Sequence, residues 1–110
     1  MTVNSRAKGA RGELEFSSFL REHGFAARRG QQFSGGSDSP DVVSNVPGVH
    51  FEVKRTETLS LWPAMDQARR DAAAGKVPVV CHRPSRRKWI AILDAEDFLN
   101  IMKTVKQITP

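Results

Sequence analysis

The sequence predicts an α/β fold in which a mixed central β-sheet is flanked by helices, with elements in the order α-β-β-β-α-β-β-α. Three observations carry this prediction. Apolar residues recur at helical spacing in three segments, one near the start, one at 61–74 and one at 95–103. Between these segments lie short strand-like runs, the clearest of which alternates strictly over residues 49–55. The chain has 110 residues, 39% of them hydrophobic. That is enough for one core and not for two, so residues 1–110 are expected to form a single domain.

The first four residues are expected to be a loose terminus. Ser5 then suits an N-cap for a helix running to about His23, with Gly24 just past its last turn. Phe16, Phe19 and Leu20 supply its buried stripe. At about 100° per residue, Glu13 lies roughly 60° from the centre of that stripe and Glu15 roughly 90° away, so Glu13 is the more inward acid. Residues 25–29 fit a first strand, and residues 30–40, rich in Gly, Ser and Gln, fit an exposed loop. Asp41-Val-Val-Ser44 reads as a second strand, followed by the turn Asn45-Val-Pro-Gly48. In the third strand Val49, Phe51 and Val53 share the core face, while His50, Glu52 and Lys54 point together to the other face. Leu61, Met65, Ala68 and Ala72 mark the second helix, with Gly75 as its stop. Strands follow at 76–82 and 89–93, joined by the basic loop Arg83-Pro-Ser-Arg-Arg-Lys88. A last helix from about Ala95 to Lys103 presents Phe98, Leu99 and Met102. Trp62 and Trp89 are expected to cover core edges.

Seventeen Lys and Arg against twelve Asp and Glu give a formal charge of +5, which favours a partner carrying phosphates. The one cysteine, Cys81, excludes an intrachain disulfide, and its alternation with Val77 and Val79 marks it as a small buried residue rather than a nucleophile. No Cys/His set has structural zinc spacing. No run approaches the ~20 apolar residues needed to span a bilayer, and the N-terminus lacks a secretory apolar core, so a cytoplasmic setting without membrane contact is expected. No row of aromatic residues suggests a platform for stacking single-stranded bases.

Asp41 opens one strand, and Glu52 and Lys54 lie on the next, where a hairpin would bring all three together. Two carboxylates offer hard oxygen ligands for Mg²⁺ or Mn²⁺, and a lysine two residues along the same face reaches the same water or a phosphate oxygen. This set is chemically complete for phosphodiester hydrolysis. By chance, a Pro-Asp followed within a tolerant window by Glu-x-Lys arises in on the order of 1% of chains this long, so the strand context is what gives the pattern weight.

Pro40-Asp41, ten intervening residues and Glu52-Val53-Lys54 resemble the motif of the PD-(D/E)XK nuclease superfamily. Lys8-Gly9, Glu13, Gly24-Phe25 and Ser34-Gly35 precede it in the order seen in the archaeal and phage Holliday junction resolvases, and the resemblance spans roughly residues 6–75. It implies a restriction-endonuclease-like fold and a metal-dependent endodeoxyribonuclease of DNA recombination and repair. Catalysis would rest on Glu13, Asp41, Glu52 and Lys54, with Asp41, Glu52 and Glu13 holding Mg²⁺, for which Mn²⁺ would substitute. It further matches Ser34 to a loop serine near the scissile phosphate and Gln67 to a helix glutamine after the Glu-x-Lys strand. Ser34 is equally a turn residue of a Gly/Ser loop, and Gln67 an exposed polar residue of a helix.

The implied substrate is branched double-stranded DNA, above all the four-way junction. A resolvase cuts two symmetric strands and one such chain offers one site, so a homodimer is expected. Arg6, Lys8, Arg11, Arg28 and Arg29 lie near the expected site and suit phosphate contacts; the 83–88 loop is equally a solvated hairpin tip. The resemblance points to a bacterial, archaeal or phage-infected cell. Two other readings stay open: a repair, restriction-type or nicking enzyme using the same site, and a basic DNA-binding module without hydrolysis.

Overall fold

The computed structural model describes residues 5–30 and 41–105, with the side chains of residues 5–8 left out. The expected loose terminus at 1–4 and the loop at 31–40 lie outside the described residues. The elements follow the order anticipated from the sequence: α1 (Ser5–Glu22), β1 (Ala27–Arg29), β2 (Val42–Ser44), β3 (Val49–Lys54), α2 (Leu61–Asp71), β4 (Val77–His82), β5 (Ile90–Ile92) and α3 (Ala95–Val105). Gly24, Gly48 and Gly75 all have positive φ, at the end of α1, in the turn before β3 and after α2. These are left-handed positions that glycine occupies without a Cβ penalty.

The fold is α/β, but the sheet is divided. β1 and β2 form an antiparallel pair, Ala27 opposite Ser44 and Arg29 opposite Val42. A separate mixed sheet has the order β3-β4-β5, with β3 parallel to β4 and β5 antiparallel to β4. The hairpin expected between β2 and β3 is therefore not a ladder: β2 lies against β3 without pairing to it. On the β3 side, the Val53 N–H is taken by the Asp41 carboxylate instead of by a strand carbonyl, and on the other side β2 is held to β1. Asn45 clamps β2 onto β1, its Oδ1 accepting from the Ala26 N–H while its own N–H donates to the Ala26 carbonyl, each at 3.0 Å.

Parallel pairing of β3 and β4 requires a crossover, and α2 supplies it. The ladder is extended at both ends by Val77 N–H to the Gly48 carbonyl (2.8 Å) and Arg83 N–H to the Lys54 carbonyl (3.2 Å). Odd-numbered residues of β4 thus donate towards β3. Pro78 lacks an N–H and is unusual in a central strand. It is tolerated because its nitrogen faces the other way, short of the point where β5 begins to pair at Val80.

Both faces of β3 are covered. On one, Phe16 and Leu20 of α1 pack with Val42, Phe51, Val53, Val79 and Cys81, and the Phe16 ring meets Phe51 and Trp89 edge-on at 5.1 and 4.9 Å. On the other, Ala64, Met65 and Ala68 of α2 pack against Val80. The alternation along β3 thus divides its side chains between two helices, and the polar set faces α2. Cys81 is buried as expected, with its thiol pushed up by burial first and by the charge of Asp41 second. Trp89 covers a core edge, whereas Trp62, expected to do the same, stands 66% exposed on α2. The buried side of α2 carries Ala64, Met65 and Ala68, turning Trp62 outward.

Candidate functional site

Asp41 stands immediately before β2, and its Oδ2 accepts a hydrogen bond from the Val53 N–H at 3.0 Å. That N–H belongs to the edge of β3 away from β4. A carboxylate therefore takes the place of a strand partner, which holds Asp41 against the Glu-x-Lys segment without a β2–β3 ladder. Glu52 is 2% exposed and His50 8% exposed on the α2-facing side of β3. Lys54, at the end of the same face, directs Nζ to Gln67 Oε1 of α2 at 3.0 Å and to Glu52 Oε2 at 3.8 Å.

The carboxyl of Asp41 is pushed up to about 7 from an ordinary 3.8. Burial is the largest cause, the charge of Glu52 the next; the Val53 N–H opposes them, Glu13 adds to the rise, and Lys54 lowers it slightly. Two acids near one another in a desolvated site disfavour joint ionisation. A positive ion between them would relieve that repulsion, so the donor set suits a hard divalent cation. Among the described residues, no group of three or more His, Cys, Asp or Glu side chains is gathered tightly enough to hold a metal.

Glu13 sits on the inward face of α1 at 7% exposure and is close enough for its charge to act on Asp41. Its Oε1 accepts from Arg29 Nε at 2.8 Å. Arg29, expected to meet phosphate, is thus engaged with the helix acid, whereas Arg28 and Arg11 are exposed. Ser34 lies outside the described residues, as do the side chains of Arg6 and Lys8. Glu15, the alternative to Glu13, points elsewhere: it accepts from Arg55 Nε at 3.0 Å and from Arg83 Nη1. The 83–88 loop is tied down further through Ser85, whose N–H and hydroxyl both donate to the Glu57 carboxylate.

Two residues gain weight that sequence reading did not give them. Arg55 follows Lys54 and joins Glu15, Glu57 and the Arg83 carbonyl, fastening α1 and the basic loop to the end of β3. Its position one residue beyond the Glu-x-Lys pattern was the available signal. His50 Nε2 is buried with no hydrogen-bond partner among the described residues, 3.5 Å from Glu52 Oε1. Its place on the Glu52 face was legible, but its burial was not.

The model of the archaeal Holliday junction resolvase (Hjc) family matches residues 4–70, a span that begins at α1 and ends within α2. No curated protein and no solved structure gives a match. The family match covers more than half of the chain and includes Glu13, Asp41, Glu52, Lys54 and Gln67. A strand-borne Glu-x-Lys, a preceding Asp held against the same strand and an inward helix acid thus lie within one matched segment, and the chain belongs to the archaeal Holliday junction resolvase family, nucleases of the PD-(D/E)XK type that act on Holliday junction DNA.

Proposed function

We propose that this chain is a metal-dependent, structure-selective endonuclease that resolves four-way junctions by hydrolysing phosphodiesters in branched DNA. The observation that carries the reading is the apposition of Asp41 and Glu52: Asp41 is pushed up to about 7 by burial and by its neighbour's charge, next to a lysine oriented by Gln67. A pair of repelling buried acids weakens a fold, and such pairs cluster at functional sites.

Asp41 and Glu52 would hold Mg²⁺, or Mn²⁺ in its place, with Glu13 contributing directly or through water. When bound, the ion acidifies water and stabilises the charge that builds on the phosphate oxygens. The residues of the chain do the rest. Gln67 accepts from Lys54 and holds its Nζ at the open end of the β3 face. From there the ammonium donates to a phosphate oxygen or orients the attacking water. The water oxygen bonds to phosphorus as one P–O ester bond breaks; the water gives up a proton, and the departing sugar oxygen takes one from solvent. Arg29 holds the Glu13 carboxylate in place through their 2.8 Å ion pair. Arg6, Lys8, Arg11 and Arg28 would contact phosphates of the DNA backbone, with Arg29 joining them beside its ion pair to Glu13, and Ser34 would contact the substrate beside the scissile phosphate. The whole chain works as one domain in the cytoplasm, as a homodimer; no helix among the described residues is long and apolar enough to cross a membrane.

The deciding experiment is cleavage of a synthetic four-way junction beside matched linear and flap DNA, with Mg²⁺ omitted and then restored. Metal-dependent cutting confined to the junction is the expected result. Equal cutting of linear or flap DNA would point to a repair, restriction-type or nicking enzyme. Binding without cleavage in either Mg²⁺ or Mn²⁺ would leave a DNA-binding module.

A further inference from the structure

His50 and Glu52 stand on the α2-facing side of β3, where strand alternation sets them roughly 7 Å apart along the chain. Both are sealed in: 7% of the His50 side chain and 3% of the Glu52 side chain remain exposed. The parallel register with β4 places Pro78 beside His50 and Val80 beside Glu52. Neither side chain carries a donor or an acceptor. Above them, α2 buries Ala64, Met65 and Ala68, which are equally apolar. His82, at the end of β4, is already engaged, its Nε2 lying 2.9 Å from the Thr56 carbonyl. What the His50 Nε2 does face is Glu52 Oε1, at 3.5 Å, and it has no hydrogen-bond partner among the described residues.

Native folds keep few buried nitrogens without a partner, and those they keep call for a reason. Here a shift of roughly half an ångström makes an ordinary N–H···O bond, with Nε2 carrying the ring proton. The other oxygen of the same carboxylate, Oε2, lies 3.8 Å from Lys54 Nζ. The two oxygens of Glu52 are thereby told apart: one faces the imidazole, the other opens towards Lys54 and the end of the strand. We propose that His50 is a positioning residue for Glu52, its Nε2–H holding Oε1 so that Oε2, on the Lys54 side, is the oxygen offered to a divalent cation. The inference rests on the proposed function, in which Glu52 holds the metal. A ligating carboxylate free to rotate loses affinity, and a hydrogen bond to its second oxygen removes that freedom. Asp41 is held in the same manner, its Oδ2 fixed by the Val53 N–H at 3.0 Å. Each acid of the pair thus takes one donor from β3, a backbone amide for Asp41 and a side chain for Glu52.

The test begins with nitrogen NMR of the full chain carrying isotope-labelled histidine, without DNA or metal. The imidazole signals lost in His50→Gln identify His50. Its Nε2 is expected to carry a proton and to keep it when Mg²⁺ is added. A bare Nε2, or one that gives up its proton to Mg²⁺, would make His50 an acceptor or a direct ligand and overturn the proposal. The second measurement is Mn²⁺ affinity, read from the electron paramagnetic resonance of free Mn²⁺. His50→Leu fills the space without a donor and should weaken Mn²⁺ binding by about tenfold to 100-fold. His50→Gln places an amide N–H where Nε2 stood and should return to within about threefold of the wild type. Single-turnover junction cleavage at limiting Mn²⁺ should follow the same order. His50→Leu binding Mn²⁺ as tightly as the wild type would overturn the proposal, and His50→Gln binding as weakly as His50→Leu would assign His50 to packing alone. If His50→Leu does not fold, the wild-type nitrogen signals still decide. A wild type that binds no Mn²⁺ and cuts no junction would sink the proposed function and this role with it, whereas failure of the His50 measurements beside normal cleavage leaves the nuclease reading standing.

Discussion

Asp41 and Glu52 share a desolvated site, and their mutual repulsion has a sign that can be measured. With its carboxyl raised from 3.8 to about 7, Asp41 binds more protons in the folded state than in the unfolded chain between those values. In the metal-free protein, stability contributed at this residue is therefore highest below about pH 4 and declines as pH rises; above about pH 7 the penalty is fully present. Asp41→Asn keeps an oxygen for the Val53 N–H and removes the charge. It should stabilise the metal-free protein at pH 8 by on the order of 1 kcal/mol or more, with the gap closing near pH 4, as checked by thermal unfolding across pH. Adding Mn²⁺ at pH 8 should raise the melting temperature of the wild type and leave the variant nearly unmoved. Asp41→Asn and Glu52→Gln should each abolish junction cleavage while binding is kept or tightened, because a negative charge facing phosphate is removed. Loss of binding together with cleavage in gel-shift and cleavage assays would assign these acids a structural role instead. Gln67→Ala frees Lys54 from its 3.0 Å partner without removing the lysine. It should lower the single-turnover cleavage rate by about tenfold with little change in junction affinity.

At the scale of elements, Gly12 brings α1 against Arg55, the residue that follows β3. A Cβ built there would lie 2.7 Å from the Cβ of Arg55, an atom too near the backbone to swing aside. Glycine thus lets the helix approach the strand end that carries Lys54, and the next residue along α1 is Glu13. Gly12→Ala should gain helix propensity yet destabilise the protein by about 1–3 kcal/mol through the clash. It should also slow cleavage, because the displacement reaches Glu13; denaturant unfolding and a cleavage time course check the two effects separately. If the variant is more stable than wild type, the close approach of α1 to β3 is wrong. The βαβ unit of β3, α2 and β4 divides the labour differently, since α2 supplies core through Ala64, Met65 and Ala68 and holds Lys54 through Gln67.

Across the whole molecule, the excess of five positive charges predicts that junction binding is dominated by phosphate contacts. Affinity should fall by about tenfold or more between roughly 50 and 200 mM salt, the mark of at least a few phosphates neutralised. Binding titrations over that range measure the slope; a flat dependence would mean that the basic residues do not face DNA. Some of the basic residues are engaged internally, however. Arg29, Arg55 and Arg83 are paired with Glu13 and Glu15, so the seventeen Lys and Arg overstate the cations offered to phosphate. Exposed Arg11, Arg28, Arg86, Arg87 and Lys88 carry more of the available charge.

The element order, the left-handed glycine stops and the shared face of His50, Glu52 and Lys54 were legible in the sequence, because each depends on local periodicity or backbone sterics. The inward position of Glu13 was legible for the same reason, from its angle to Phe16 and Leu20. Distant partners were not: local pattern could not reveal that β2 would fasten to β1 through Asn45, or that the carboxylate of Asp41 would occupy the free edge of β3. Nor could it show that the polar face of β3 would be buried beneath α2, with Lys54 held by a glutamine thirteen residues away. Chain pattern determines which way a side chain points within its own element; packing determines what it meets, and through desolvation and neighbouring charge it turns Asp41 from a surface acid into a strained one.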